Sequence, residues 1–154
     1  MEINSFYLEK VFTEKECNNI VNFYVENSSK SYSYKTNGTY PLTISKFTNP
    51  IIKNMINKLE DKYLDKFNAS RIDNLEIVKW PEGSYMNNHY DGEDKFAFFI
   101  YLNDNFTGGE TEIVGEAQIV PATGYAFIFN NGKRLHKVNK VINGIRYTLA
   151  GWYV

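Results

Sequence analysis

Residues 75–102 read LEIVKWPEGSYMNNHYDGEDKFAFFIYL, and this stretch decides the fold class. Its outer runs, 75–80 and 96–102, are dense in branched and aromatic side chains, which pack well on a pleated surface. A third short run, 84–89, lies between them, set off by Pro81-Glu82-Gly83 on one side and Asp91-Gly92 on the other; proline and glycine end strands and turn the chain. Toward the C-terminus the same rhythm returns at 110–114, 117–120, 124–129, 136–142 and 146–153. About eight strands at this spacing, with no helical pattern between them, predict a sandwich or jelly roll.

Working back toward the N-terminus, the period changes before Arg71. Thr13-Glu14-Lys15-Glu16 has the form of a capping box, a hydroxyl with a carboxylate three residues on. Cys17, Ile20, Val21 and Tyr24 then share one face, predicting a helix over 14–27. Asn49-Pro50 is a cap followed by proline at the first helical position, where its missing N–H costs nothing. Ile52, Met55, Ile56, Leu59, Tyr63 and Phe67 follow at steps of three and four, predicting a second amphipathic helix over 49–67. Residues 28–48 between the helices are polar and carry Tyr32, Tyr34 and Tyr40 around Asn37-Gly38, a type I′ turn dipeptide. They read either as a projecting hairpin or as a mobile surface loop. The whole is an α+β chain, mostly β, with two N-terminal helices braced on a β core.

Composition fits one domain, residues 1–154, with 43% hydrophobic and 16% aromatic residues to build its core. A net charge of -1 leaves no footprint for a phosphate backbone, so nucleic acid is not expected as a partner. The first residues lack a signal-peptide pattern, and no apolar run approaches the ~20 residues a bilayer span requires. The lone Cys17 fits a reducing compartment and a core position, so a soluble, cytoplasmic protein without membrane association is expected.

The chain has 2 histidines, His89 and His136. His89 and Asp91 are two apart, on one face of a strand end, and His136 enters a late strand. H-x-D alone is a weak signal, common on ordinary surfaces. Two imidazoles and a carboxylate from two strands can nevertheless form a facial triad, leaving cis positions open on octahedral iron for a chelating 2-oxo acid and O2. The same three groups suit a catalytic zinc with one open position. Arg146 opens the final strand, and alternation puts Arg146, Thr148, Ala150 and Trp152 on one face. Facing inward, Arg146 is a rigid two-pronged donor matched to a carboxylate; facing outward, it is a surface arginine on an edge strand. Tyr101, in the strand after H-x-D, can donate to the same carboxylate or be plain core. Phe99, Phe127, Phe129 and Trp152 suit the lining of a dry pocket, or the core itself.

Trp80-Pro81-Glu82-Gly83, Tyr85, His89-Tyr90-Asp91, Tyr101-Leu102-Asn103, Gly108-Gly109-Glu110-Thr111, Pro121, Gly124, Phe127, His136, Arg146 and Trp152 together resemble the prolyl 4-hydroxylase-like branch of the 2-oxoglutarate/Fe(II) dioxygenases, over roughly residues 75–154. The resemblance implies a double-stranded β-helix. It implies Fe(II) held by His89, Asp91 and His136, with Arg146 on the C5 carboxylate of 2-oxoglutarate, assisted by Tyr101 and Thr148. It implies consumption of O2, release of succinate and CO2, a supporting role for ascorbate, and hydroxylation of a prolyl residue in a peptide or protein. Trp80, Tyr85 and Trp152 match aromatic positions at the substrate end, the Gly108-Gly109 turn looks structural, and segment 31–48 resembles a flap over the substrate. Asp91 is retained, where halogenating relatives replace it. Tyr85 departs from the pattern, standing four residues before His89 where relatives place an aromatic three before, and Lys95 is near but not aligned with a basic substrate-contacting residue. A free amino acid or other small molecule remains an alternative substrate, and a non-catalytic metal-binding jelly roll an alternative role.

Overall fold

A computed structural model of the chain describes residues 7–34, 37–92, 96–130 and 134–154. Both helices begin where their caps dictate. Thr13 Oγ1 accepts from the Glu16 N–H and Glu16 Oε1 from the Thr13 N–H, each at 3.1 Å, so both donors at the start of α1 (Glu14–Glu26) are satisfied reciprocally. Asn49 Oδ1 accepts from the Ile51 N–H at 2.8 Å, starting α2 (Pro50–Tyr63). That helix stops short of the predicted Phe67. The chain continues in turns and bends away at Asn68, whose φ of 50° is left-handed, while Phe67 stays buried.

The strands are β1 (Tyr7–Lys10), β2 (Tyr40–Thr43), β3 (Ile72–Trp80), β4 (Met86–His89), β5 (Phe96–Tyr101), β6 (Thr107–Gly108), β7 (Thr111–Ile113), β8 (Ala117–Ile119), β9 (Tyr125–Asn130), β10 (His136–Val138), β11 (Val141–Asn143) and β12 (Arg146–Tyr153). A six-stranded antiparallel sheet runs β1-β9-β5-β12-β3-β2, and a four-stranded one runs β4-β10-β7-β8. Two antiparallel sheets with crossovers between them make the mostly β jelly roll that the strand spacing predicts.

Alternation in the large sheet divides two cores. Leu75 and Ile77 of β3, Phe98 and Ile100 of β5, Ala126 and Ile128 of β9, and Leu149 and Tyr153 of β12 face the helices, meeting Cys17, Ile20, Met55 and Leu59. The opposite residues, among them Ala97, Phe99, Tyr101, Phe127 and Phe129, face the smaller sheet. Cys17 is fully buried, and burial pushes its thiol up to about 11, as befits a core residue.

Several elements differ from the sequence reading. The predicted strand 136–142 is two, β10 paired with β4 and β7, and β11 paired with β6. The break falls where the chain passes Gly108: a Cβ there would lie 2.2 Å from the Lys140 carbonyl oxygen, so only glycine permits the crossing. β1 (YLEK) and β2 (YPLT), 4 residues each, show no apolar–polar alternation in their sequence, and both form by adding to edges already set, β9 and β3. The described residues of segment 31–48, all but 35 and 36, form a hairpin arm, with Tyr34 bridged to Thr39 and the Tyr32 N–H bonded to the Pro41 carbonyl at 3.1 Å, and the arm joins the large sheet through β2 instead of projecting. The Tyr34 carbonyl accepts from the Asn37 N–H at 3.2 Å and the Gly38 N–H at 2.9 Å, and Tyr34 is bridged to Thr39, so Asn37-Gly38 is not the central pair of a two-residue type I′ turn. Asn37 is buried, and its Oδ1 accepts from the Thr39 N–H at 3.1 Å and the Thr39 hydroxyl at 2.6 Å. Among the described residues no helix is long and apolar enough to cross a membrane.

Candidate active site

His89 ends β4 and His136 begins β10, and the two stand opposite one another in the ladder, their rings 4.2 Å apart. Asp91 follows β4 by two residues and turns its carboxylate between them. One oxygen lies 3.0 Å from His89 Nε2 and the other 3.2 Å from His136 Nε2, and the three ligand atoms fall within 4.8 Å of one another. His89 Nδ1 lies 2.7 Å from the Asn87 carbonyl and His136 Nδ1 2.9 Å from the Arg134 carbonyl. A carbonyl only accepts, so each Nδ1 carries the hydrogen and each ring presents Nε2 to the centre, the outer-shell arrangement of metal-binding imidazoles. Burial alone would raise the Asp91 carboxyl; the hydrogen bonds from His136 and His89 outweigh it and hold Asp91 well below the usual carboxylate range. Burial would lower His89, and Asp91 with the Asn87 carbonyl reverses that and raises it. A centre that draws two imidazoles onto an ionised carboxylate suits a divalent cation in their place.

The other pole of the site is Arg146. It is 2% exposed, and its Nη2 donates to Thr111 Oγ1 at 3.1 Å, while Nε and Nη1 have no partner. Its guanidinium carbon lies 4.4 Å from the centre of the Trp80 ring, 5.4 Å from that of Tyr101 and 5.9 Å from that of Phe99. Burial pushes its pKa down. An enclosed cation with two orphaned donors is strongly unfavourable unless an anion meets it, and the fork it presents fits a carboxylate. The Trp80 Nε1–H donates to Thr148 Oγ1 at 3.1 Å, a bond that leaves the Thr148 hydroxyl hydrogen free to donate in turn.

A cavity of ≈ 580 Å³ joins the two poles. Trp80, Thr148 and Arg146 line it at one end, and His89, Asp91 and His136 on the side of the smaller sheet. Tyr85 lies on its rim, 38% exposed, and Trp152 is half-buried on the same face as Arg146. Phe99 and Phe129 line it as well, but Phe127 does not; that ring packs behind them in the core. The Tyr101 ring sits beside Arg146, and its hydroxyl meets the Thr111 N–H and the Ile119 carbonyl, each at 3.4 Å. Lys95 lies outside the described residues. Reading the sequence missed Thr111 as the partner of Arg146, since it passed as part of a turn. It also missed Glu76, Asn74, Thr39 and Pro41 on the cavity wall. The period of β3 carried the signal for Asn74 and Glu76, which share a face with Val78 and Trp80; nothing local carried it for the hairpin arm.

Two histidines and one carboxylate facing an open cavity in a jelly roll define the class of mononuclear non-haem Fe(II) oxygenases. A family model described as the 2OG-Fe(II) oxygenase superfamily matches residues 74–154, more than half of the chain, and the chain belongs to that family, which uses Fe(II), 2-oxoglutarate and O2. Among solved structures the chain is similar to a prolyl-4-hydroxylase of Pseudomonas putida, with a TM-score of 0.83 at 14% identity over 96% of this chain and 91% of that one. It is similar to the viral collagen prolyl hydroxylase of Paramecium Bursaria Chlorella virus-1 in its 2OG complex, with a TM-score of 0.78 at 18% identity over 96% and 94%. A prolyl hydroxylase of Trichoplax adhaerens, in complex with a hypoxia inducible factor oxygen degradation domain peptide fragment, matches with a TM-score of 0.77 at 16% identity over 98% and 84%. At these identities the likeness establishes the fold. No curated protein matches the chain by sequence.

Proposed function

We propose that the chain is one catalytic domain that hydroxylates a prolyl residue in a peptide or protein, with His89, Asp91 and His136 holding Fe(II) and Arg146 holding the far carboxylate of 2-oxoglutarate. The observation that carries the reading is Arg146, buried at the inner end of the cavity with Nε and Nη1 unpaired. Neither a zinc hydrolase nor a passive binding module has a use for an enclosed guanidinium there. When bound, Fe(II) would activate O2 as the oxidant, and 2-oxoglutarate would give two of the four electrons that reduce it, leaving as succinate and CO2, while the substrate C–H bond would give the other two.

The chain's own residues do the rest. Asn87 and Arg134 carbonyls hold the two imidazoles in one tautomer, so both Nε2 atoms aim at one point. Arg146 and Thr148 fix the co-acid by its remote end, which sets its reactive end toward the three ligands. Phe99 and Phe129 keep water from the reacting carbon. A prolyl substrate is supported by the likeness of the fold to three prolyl hydroxylases, one of them seen with a peptide. The opening of the cavity beneath the hairpin arm, lined by Tyr32, Tyr34 and Thr39, suits an extended chain.

Anaerobic addition of Fe(II) and 2-oxoglutarate should give a weak visible charge-transfer band. Its absence from folded protein would overturn the oxygenase assignment of this site. Succinate release measured across prolyl peptides, free proline and other free amino acids then decides the substrate. Stimulation by free amino acids and by no peptide replaces the prolyl reading with a small-molecule one.

A further inference from the structure

The register of the large sheet grades the cavity from its inner to its outer end. On the site face, Trp80 stands opposite Arg146, Val78 opposite Thr148 and Glu76 opposite Ala150, with Trp152 one same-face step further along β12. Each such step is about 6.6 Å. Glu76 therefore lies on the order of 13 Å along the sheet from the arginine rung, at the end away from the co-substrate. The arm returns over it: the Tyr32 hydroxyl donates to Glu76 Oε1 at 2.8 Å, and the Tyr34 ring lies 6.2 Å from that of Tyr32. Glu76, Tyr32, Tyr34 and Trp152 all line the cavity, and the buried Trp152 Nε1 has no partner.

The charges on the wall do not cancel. Setting tyrosines aside, the ionisable residues among the described lining are Glu76, His89, Asp91, His136 and Arg146. Under the proposed function the metal occupies three of these and a carboxylate neutralises the fourth. Glu76 is left over, and no described lysine, arginine or histidine pairs with it. Its second oxygen has no donor among the described residues. Burial pushes the Glu76 carboxyl up, and the Tyr32 hydroxyl only partly offsets this, so the carboxylate is incompletely solvated by the protein. A half-buried carboxylate bonded to one phenol, on a cavity wall that also carries a second phenol and an indole, is a setting in which a cation is attracted by both the charge and the ring faces.

We infer that the outer end of the cavity recognises a positively charged group of the substrate, an ammonium or guanidinium carried close to the residue that is hydroxylated, with Glu76 as its counter-ion and Tyr32, Tyr34 and Trp152 as its aromatic walls. The inference rests on the reading that substrate enters this cavity. For a peptide it makes a lysine or arginine beside the reacting proline the preferred context, and an acidic residue there the disfavoured one.

The test uses the full chain loaded with Mn(II) and 2-oxoglutarate, with binding followed by the fluorescence of Trp80 and Trp152, the 2 tryptophans present. The probes are acetylated, amidated pentapeptides with a central proline flanked on either side by lysine or by glutamate, together with the acetylated amides of lysine and glutamate alone. The expected result is binding of a lysine peptide at least tenfold tighter than its glutamate counterpart, with the difference falling below twofold in Glu76→Gln. Glu112→Gln, a charge-matched change on β7 outside the cavity, should leave the preference intact. Thermal melting confirms that both variants are folded, and Tyr32→Phe, which keeps the charge and removes the positioning bond, should weaken the preference in part. Equal binding of both charges by the unaltered chain, no binding of any cation, or a preference that survives Glu76→Gln overturns the inference. Succinate release from the same peptides under Fe(II) and O2 then reads the prolyl assignment separately. A Glu76-dependent preference for the lysine amide, with no prolyl peptide hydroxylated, would sustain the cation site and remove proline as the target.

Discussion

Trp80 and Arg146 face one another across the β3–β12 ladder, and the guanidinium lies 4.4 Å from the centre of the indole while the indole N–H bonds Thr148 at 3.1 Å. One side chain thus holds both groups that meet the proposed co-acid, one by its ring face and the other by its edge. The contact also places Trp80 at the inner end of the cavity.

Arg146→Ala is expected to raise the KM for 2-oxoglutarate on the order of 100-fold, since two charge-assisted hydrogen bonds are lost. Mn(II) binding, followed by titration, should change little. Arg146→Lys should not restore the affinity, because an ammonium lacks the fork. Equal loss of metal and co-acid binding would mean that Arg146 acts through the fold.

Trp80→Phe keeps a ring beneath Arg146 and removes the N–H to Thr148. A neutral hydrogen bond contributes about 1 kcal/mol, so a roughly fivefold rise in the KM for 2-oxoglutarate is expected, with metal affinity retained. An unchanged KM would show that the Thr148 hydroxyl needs no orienting.

Asp91→Ala removes the carboxylate that, among the described residues, stands between the two imidazoles. Calorimetric titration with Mn(II) should show binding weakened at least 100-fold, and succinate release should vanish. Retention of both would place the metal elsewhere.

Gly109→Ala tests the route by which the chain passes the arginine stem. Gly109 has φ +67°, and a Cβ would meet Val141 Cγ2 at 3.1 Å and Arg146 Cδ at 3.2 Å. Left-handed strain alone costs about 1–3 kcal/mol, and displacement of Arg146 should weaken 2-oxoglutarate binding in step. A melting temperature lowered without any change in co-acid affinity would separate the two effects.

Acid stability should report on Glu9, which ties β1 to α2. Burial would raise its carboxyl, but Lys62 at 2.9 Å and the hydroxyls of Tyr7 and Tyr63 at 2.8 and 2.9 Å together lower it below 4.5. A carboxyl lowered on folding stabilises fully above its unfolded pKa, and the increment is lost as pH falls through the folded value. Chemical denaturation from pH 7 down to below pH 4 should therefore show Glu9→Gln losing less stability than the unaltered chain. Parallel curves would mean that Glu9 does not contribute.

The helices and most strands were legible in the chain because each rests on short-range periodicity. A capping box needs four consecutive residues, α2 announces itself by steps of three and four, and β12 places Arg146, Thr148, Ala150 and Trp152 on one face by alternation alone. His89 and His136 stood out because there are no other histidines to choose from. By itself, then, the sequence determined the two helices, the run of strands that follows them, the faces of the long strands and the three candidate metal ligands. Tertiary structure alone decided what lies across from what. Thr111 meets Arg146 over 35 residues of separation, Tyr32 meets Glu76 over 44, and Asn37 is buried where its dipeptide predicts an exposed turn. Those pairings depend on which strands become neighbours and in which register, and that is fixed by burial of the whole sheet and not by any residue's near neighbours.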